Sequence, residues 1–283
     1  MTGPATHTRH LTRPDGRLAY DLAGEHTGDE PLVVAAPGMG DLRSTYRFLA
    51  PGLVAAGHRV AALDLRGHGG SSTGWPSYSE EDVADDLVAL VEDLGRGAPA
   101  VLVGNSYSGG AAVIAAARRP DLVRGLVLSG PFVREVPRTA MQRAAVWVLT
   151  RTPLGRRLWG AYVPSLSPGR RPADFGAHLA ALTANLAEPG RWEAVAAMAR
   201  AGHAAAAAAL PSVTAPVLVV MGEDDPDFPD PAAEARLVAA TVTGPAEVLM
   251  VAGTGHYPQA QRAEVVTPAV VDFLARLPAA GGR

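Results

Sequence analysis

The stretch Val101-Leu102-Val103-Gly104-Asn105-Ser106-Tyr107-Ser108-Gly109-Gly110 holds the residue best placed to do chemistry. An apolar β-like run ends in a glycine, a serine follows between small residues, and an alanine-rich helix begins. This strand–turn–helix context forces a serine onto a sharp elbow and lifts its hydroxyl clear of the backbone, the usual setting of a nucleophile. The common pattern is G-x-S-x-G, and here Ser108 stands where the last glycine is usual. In a second register Ser108 itself could be the nucleophile. Ser106 is preferred because it directly follows the strand end Val103-Gly104-Asn105.

A serine hydroxyl needs a base, an acid behind the base, and donors for the oxyanion. Of the eight histidines, only His256 follows a late apolar strand inside a small-residue loop, Ala252-Gly253-Thr254-Gly255-His256-Tyr257-Pro258. Candidate acids cluster after the strand ending at Met221: Glu223, Asp224, Asp225, Asp227 and Asp230. Asp225, three residues beyond Gly222, is the choice for orienting the imidazole. Asp224 and Asp227 read as solvated loop carboxylates. The end of the preceding strand, Ser129-Gly130-Pro131-Phe132, offers no acid. The oxyanion donors should be backbone N–H groups of Tyr107, just after the nucleophile, and of Met39, in the loop Ala36-Pro37-Gly38-Met39-Gly40-Asp41.

These residues sit in a chain whose composition narrows the field. It has 283 residues, 48% of them hydrophobic, enough for one large α/β domain with a sizeable core. The net charge of −3 gives no sign of a nucleic-acid partner. Cysteine is absent, which excludes disulfides, thiol nucleophiles and cysteine metal sites and fits a reducing, cytoplasmic compartment. Lysine is absent too, and all 25 basic residues are arginine, so a Schiff-base lysine, a P-loop lysine and a Ser–Lys dyad are excluded. Residues 1–13 are polar and do not read as a secretory signal. No apolar run reaches the length of a membrane span, and residues 278–283 read as a frayed tail.

The elements that would position the candidate residues follow a βα rhythm. A hairpin is expected from residues 8–13 and 17–23 around Pro14-Asp15-Gly16. Four later runs, 32–36, 60–63, 101–103 and 217–221, are nearly continuous in apolar residues, as strands covered on both faces should be. Residues 126–128 and 248–251 add two more. A helix over 80–94 opens with acidic residues after Ser79, a ready N-cap, and another covers 111–118. From 133 to 210 no strand is evident, and prolines at 137, 153, 164, 168, 172 and 189 punctuate helix-like stretches. The alanine run 204–209 reads as helix. The expected division is a core domain from 1–132 and 211–283 with an inserted helical cap at 133–210.

The order Ser106, Asp225, His256, with the elbow, the Gly255-His256 loop and the turn Asp64-Leu65-Arg66-Gly67-His68-Gly69-Gly70-Ser71-Ser72, resembles the α/β-hydrolase superfamily over nearly the whole length. The last segment is similar to that family's D-x-R-G-x-G-x-S turn, whose role is mainly structural, so Asp64 and His68 stay outside the catalytic set. Two departures stand out: Ser108 in the elbow, and Pro37-Gly38 where the family often has His-Gly. The resemblance implies a mostly parallel central sheet with helices on both faces. It also implies a serine hydrolase acting on an ester, lactone or thioester of a small molecule, with no cofactor or metal and no nucleic-acid or membrane partner. The same triad serves perhydrolases, carbon–carbon bond hydrolases, and natural-product cyclases or acyltransferases. A non-catalytic receptor of the same fold is the reading from a different class.

The cap carries ten arginines against Glu135, Asp174, Glu188 and Glu193, a balance of +6. A basic lid could attract anionic substrates, though an ordinary arginine-rich helix surface explains it more simply. Trp147, Trp159, Tyr162 and Trp192 lie here and could line a pocket for an apolar or aromatic substrate, or seal the cap against the core. His178 and His203 read as packing or surface histidines.

Overall fold

Eight strands form one sheet in the order β1-β2-β4-β3-β5-β6-β7-β8. They are β1 Thr8–Arg13, β2 Gly16–Ala23, β3 Val33–Ala36, β4 Val60–Leu63, β5 Ala100–Asn105, β6 Val123–Ser129, β7 Val217–Gly222 and β8 Ala246–Val251. The computed structural model describes residues 8–25, 30–137, 139–152 and 154–278. Residues 1–7, Pro153 and the expected tail beyond Pro278 lie outside them. The β1–β2 hairpin is antiparallel, β2 pairs antiparallel with β4, and the remaining pairs are parallel.

The continuous apolar runs are explained by the two cores they serve. Side chains alternate across a strand, so neighbours in sequence face opposite sides of the sheet. Val34, Leu102, Leu126 and Val219 join the core beneath α2 Glu80–Leu94 and α3 Tyr107–Arg118. Their neighbours Val33, Val101, Val127 and Val220 join the core under α1 Leu49–Ala55 and α11 Ala263–Ala275. Helix α2 starts with a capping box in which Ser79 and Asp82 satisfy each other's backbone N–H groups. Its Glu80 is not a solvated first-turn acid: it is buried against His203, with Oε1 2.7 Å from Nδ1.

Between β6 and β7 run α4 Ala140–Arg151, α5 Gly155–Tyr162, α6 Phe175–Leu186, α7 Arg191–Ala201 and α8 Ala204–Ala209. A separate apolar cluster of Trp159, Val163, Leu182, Leu186 and Val195 holds the middle helices together. Ala206 of α8 and the adjacent Leu210 belong instead to the main core under α3. After β7 come α9 Pro231–Thr241, and after β8 the short α10 Pro258–Gln261 that leads into α11.

Candidate active site

Ser106 joins the end of β5 to the start of α3 with φ +56° and ψ −122°. Such a conformation costs on the order of 1–3 kcal/mol in a non-glycine residue and persists only where the surroundings enforce it. They do. The Ser106 N–H donates to the Ser129 carbonyl (3.0 Å), and the Ser106 carbonyl accepts from Gly109 (2.9 Å) and Phe132 (3.2 Å). The turn closes only around glycine at 104, where a β-carbon would stand 2.4 Å from the Ser108 carbonyl oxygen. The two serines have different environments. Ser106 is partly exposed and its hydroxyl does not cap α3. Ser108 is fully buried and its hydroxyl donates to the Pro37 carbonyl.

His256 follows β8, and its ring Nδ1 lies 2.8 Å from Asp225 Oδ2. Both side chains are buried. Asp225 Oδ1 accepts the Asp227 N–H at 3.0 Å, which fixes the carboxylate. The expectation of a solvated Asp227 does not match the structure: its Oδ2 lies 3.6 Å from His256 Nδ1, and its other oxygen accepts the Tyr162 hydroxyl. Asp224 is exposed. Burial resists a positive charge on His256, but the Asp225 carboxylate overcomes it. Asp227 and Asp41 act in the same sense, and the pKa is pushed up to about 9. Asn105 ties this histidine to the elbow, its Nδ2 donating to the carbonyls of Ser129 (2.9 Å) and His256 (3.1 Å). Phe132 and Phe228 wall the imidazole, with ring centres 5.9 and 6.4 Å from it.

The loop after β3 closes on the serine from the other side. A β-carbon at Gly38 would lie 2.9 Å from Ser106 Cβ, so only glycine lets the backbone approach this closely. Among the described residues, neither the Met39 nor the Tyr107 N–H donates to a backbone acceptor. The Gly40 N–H donates to His68 Nε2 at 3.0 Å, and His68 Nδ1 faces the Arg66 carbonyl at 2.9 Å. An acceptor at Nε2 requires the proton on Nδ1, so His68 is the neutral tautomer. Burial agrees, holding its pKa below the ordinary histidine value. Asp64 anchors the same region by accepting the Arg43 and Gly70 N–H groups at 2.8 Å each.

The four aromatic candidates separate. Trp159, Tyr162 and Trp192 cluster, with ring centres 6.0 and 6.4 Å apart, and a β-carbon at Gly40 would touch the Trp159 indole. Trp147 stands apart on α4, 57% exposed. None of the four lines the cleft between α6 and the loop after β3, which is bounded by Asp41, Thr45, Phe175, His178, Leu179 and Tyr257. Here His178 is a clasp: Nε2 lies 2.9 Å from the buried Asp41 carboxylate and Nδ1 3.3 Å from Ser44 Oγ. Among the described residues, Asp225, Asp227 and His256 are the one group of three ligand-type side chains that converges, with atoms within 4.8 Å of one another. Their convergence is already explained by the hydrogen bond and ion pairs above. Asp227, one of the candidate acids, is misplaced by the sequence as solvated, and Asn105 and Phe132 receive no role from it. Only Asn105, next to the elbow serine, carried a signal that could have flagged it.

A family model described as "Alpha/beta hydrolase family" matches residues 33–269. The chain belongs to this family. The strand order and the parallel pairing agree with it. Among curated proteins, this hydrolase is 29% identical to a 2-(acetamidomethylene)succinate hydrolase of Mesorhizobium japonicum over 92% of each chain. It is 32% identical to a 2-hydroxymuconate semialdehyde hydrolase of Pseudomonas sp. (strain CF600), over 84% of this chain and 83% of that one. Among solved structures, it superposes on the enol-lactonase from Burkholderia xenovorans LB400 with a TM-score of 0.78 at 27% identity, covering 95% of this chain and 100% of the other. Among the described residues, no helix is long and apolar enough to cross a membrane.

Proposed function

We propose that this hydrolase cleaves an ester, lactone or thioester of a small apolar or aromatic molecule through a Ser106–His256–Asp225 triad. The observation that carries the reading is the buried 2.8 Å contact between Asp225 and His256 Nδ1, beside a strained serine whose hydroxyl is not used in capping. With Nδ1–H donated to Asp225, the lone pair of the imidazole is left on Nε2. That nitrogen takes the Ser106 proton as the oxygen attacks the substrate carbonyl. The Met39 and Tyr107 N–H groups hold the oxygen that becomes negative. As the tetrahedral intermediate collapses, His256 returns the proton to the leaving alcohol, enol or thiol, and Ser106 keeps the acyl group. Water, deprotonated by the same nitrogen, then frees the acid and restores the serine.

The division into a core at 1–132 and 211–283 and a cap at 133–210 accords with this role, since Trp159 and Tyr162 reach down to Gly40 and Asp227. An enol-lactonase at 27% identity favours a lactone or enol ester within the class. A chain without cysteine suits the cytoplasm. Carbon–carbon bond cleavage is the second reading, favoured by the 2-hydroxymuconate semialdehyde hydrolase at 32% identity. Turnover of p-nitrophenyl esters of graded acyl length by the wild type, lost in Ser106→Ala, supports the first reading. No turnover of any ester or lactone, with cleavage of a vinylogous diketone instead, would replace it with the second.

A further inference from the structure

The outer surface of α4 and α5 combines two properties that rarely coincide on a monomer. Four large hydrophobic side chains are exposed on this outer segment: Met141 (80%), Trp147 (57%), Leu154 (54%) and Leu158 (43%). Several large apolar side chains left exposed on one short segment mark an interaction site. The same segment is strongly cationic. Between Glu135 and Asp174 there are seven arginines and no aspartate or glutamate. Arg151, Arg156 and Arg157 are exposed and form no ion pair among the described residues, whereas the surface arginines Arg119 and Arg276 each meet a carboxylate.

The two sets of side chains are interleaved, not opposed. Trp147 and Arg151 are one turn apart on α4, and Leu154 and Leu158 bracket Arg156 and Arg157 on α5. We propose that this face docks on an anionic phospholipid surface. Tryptophan and leucine enter the headgroup boundary while arginines at the same level meet phosphate, an arrangement that suits a bilayer interface better than a folded acidic partner. Helix α5 also faces inward: Trp159 lies against Gly40 and the Tyr162 hydroxyl binds Asp227. Docking therefore places the membrane one helix thickness from the candidate active site, the arrangement an apolar substrate dissolved in lipid requires.

Vesicle co-sedimentation tests this. The wild type is expected to sediment with equimolar phosphatidylglycerol–phosphatidylcholine vesicles and only weakly with pure phosphatidylcholine. Each arginine at an anionic surface is worth about fivefold in affinity, so the triple variant Arg151→Gln, Arg156→Gln, Arg157→Gln should bind about a hundredfold more weakly. Leu154→Ser with Leu158→Ser should lose about tenfold with no change of charge. An unchanged thermal midpoint certifies that each variant is folded, and where a variant fails that check the wild-type comparison of the two vesicles decides alone. Equal binding to both vesicles, binding to neither, or wild-type affinity in the triple variant overturns the proposal. Capture of the wild type by polyglutamate but not by anionic vesicles also overturns it, in favour of an acidic protein partner.

Discussion

Asp227→Asn should make this enzyme faster at neutral pH. A base with a pKa of about 9 is mostly protonated at pH 7, and only about 1% of the imidazole is free to take a proton. Asp227 contributes to that elevation from 3.6 Å. Two unit charges at this separation interact by about 1 kcal/mol in water and about 4–5 kcal/mol at an effective dielectric of ~20. The Asp227 side chain is 19% exposed, which puts the pair toward the weaker end, roughly 1–2 kcal/mol or about one pKa unit. Removing the charge should bring the pKa of His256 from about 9 to about 8 and raise the neutral fraction at pH 7 about tenfold. Asparagine keeps an oxygen for the Tyr162 hydroxyl, and the Asp227 backbone N–H still holds Asp225, so the geometry should survive. The assay is kcat/KM on an uncharged ester from pH 6 to the limit of stability. The active form is the neutral one, so the rate rises with pH through the pKa of the free enzyme. The wild-type limb should be centred near pH 9 and the variant limb about one unit lower. A wild-type limb below pH 7, or identical limbs in both proteins, would refute the electrostatic account.

Other substitutions probe the supports of the site. Gly38→Ala would put a methyl 2.9 Å from Ser106 Cβ, so if the loop after β3 supplies the proposed oxyanion donor, kcat/KM should fall by about 10²–10³ as that loop is displaced, as steady-state kinetics will report. Ser108→Ala should leave hydrolysis intact but strip the buried Pro37 carbonyl of its hydroxyl donor, lowering stability in urea by about 1–3 kcal/mol. Arg66→Met should be severe. The guanidinium grips buried Asp86 through two bonds of 2.8 and 2.9 Å, and leaving that carboxylate without it should cost about 3–5 kcal/mol by denaturant titration.

The parts of this protein that the sequence made legible are local. The elbow, the apolar strands and the Ser79 cap each depend on neighbours within a few residues, and each stands where its pattern put it. The loop motifs at 64–72 and 252–258 were readable for the same reason. What escaped depends on distant segments meeting. Asp227 looked solvated because nothing in its own loop shows that Tyr162, 65 residues earlier, folds over it. Glu80 looked like an ordinary first-turn acid, but His203 arrives from the far end of the inserted helices to bury it. Trp147 and Trp159 looked equivalent in sequence. The packing of α5 turns one onto Gly40, while the other remains outside on α4. That rotation also turned an arginine-rich segment, readable as ordinary helix surface, into a face where bare arginines and bare apolar groups alternate.

On the proposed mechanism Ser106, and not its neighbour two residues on, is the nucleophile activated by His256. Peptide mapping by mass spectrometry after treatment with a fluorophosphonate tests this directly. One phosphonyl adduct is expected on Ser106, retained in Ser108→Ala, abolished in Ser106→Ala and slowed by about 10⁴ in Asp225→Asn, where the imidazole is held in the wrong tautomer. An adduct on Ser108, or labelling that survives Ser106→Ala, would contradict it.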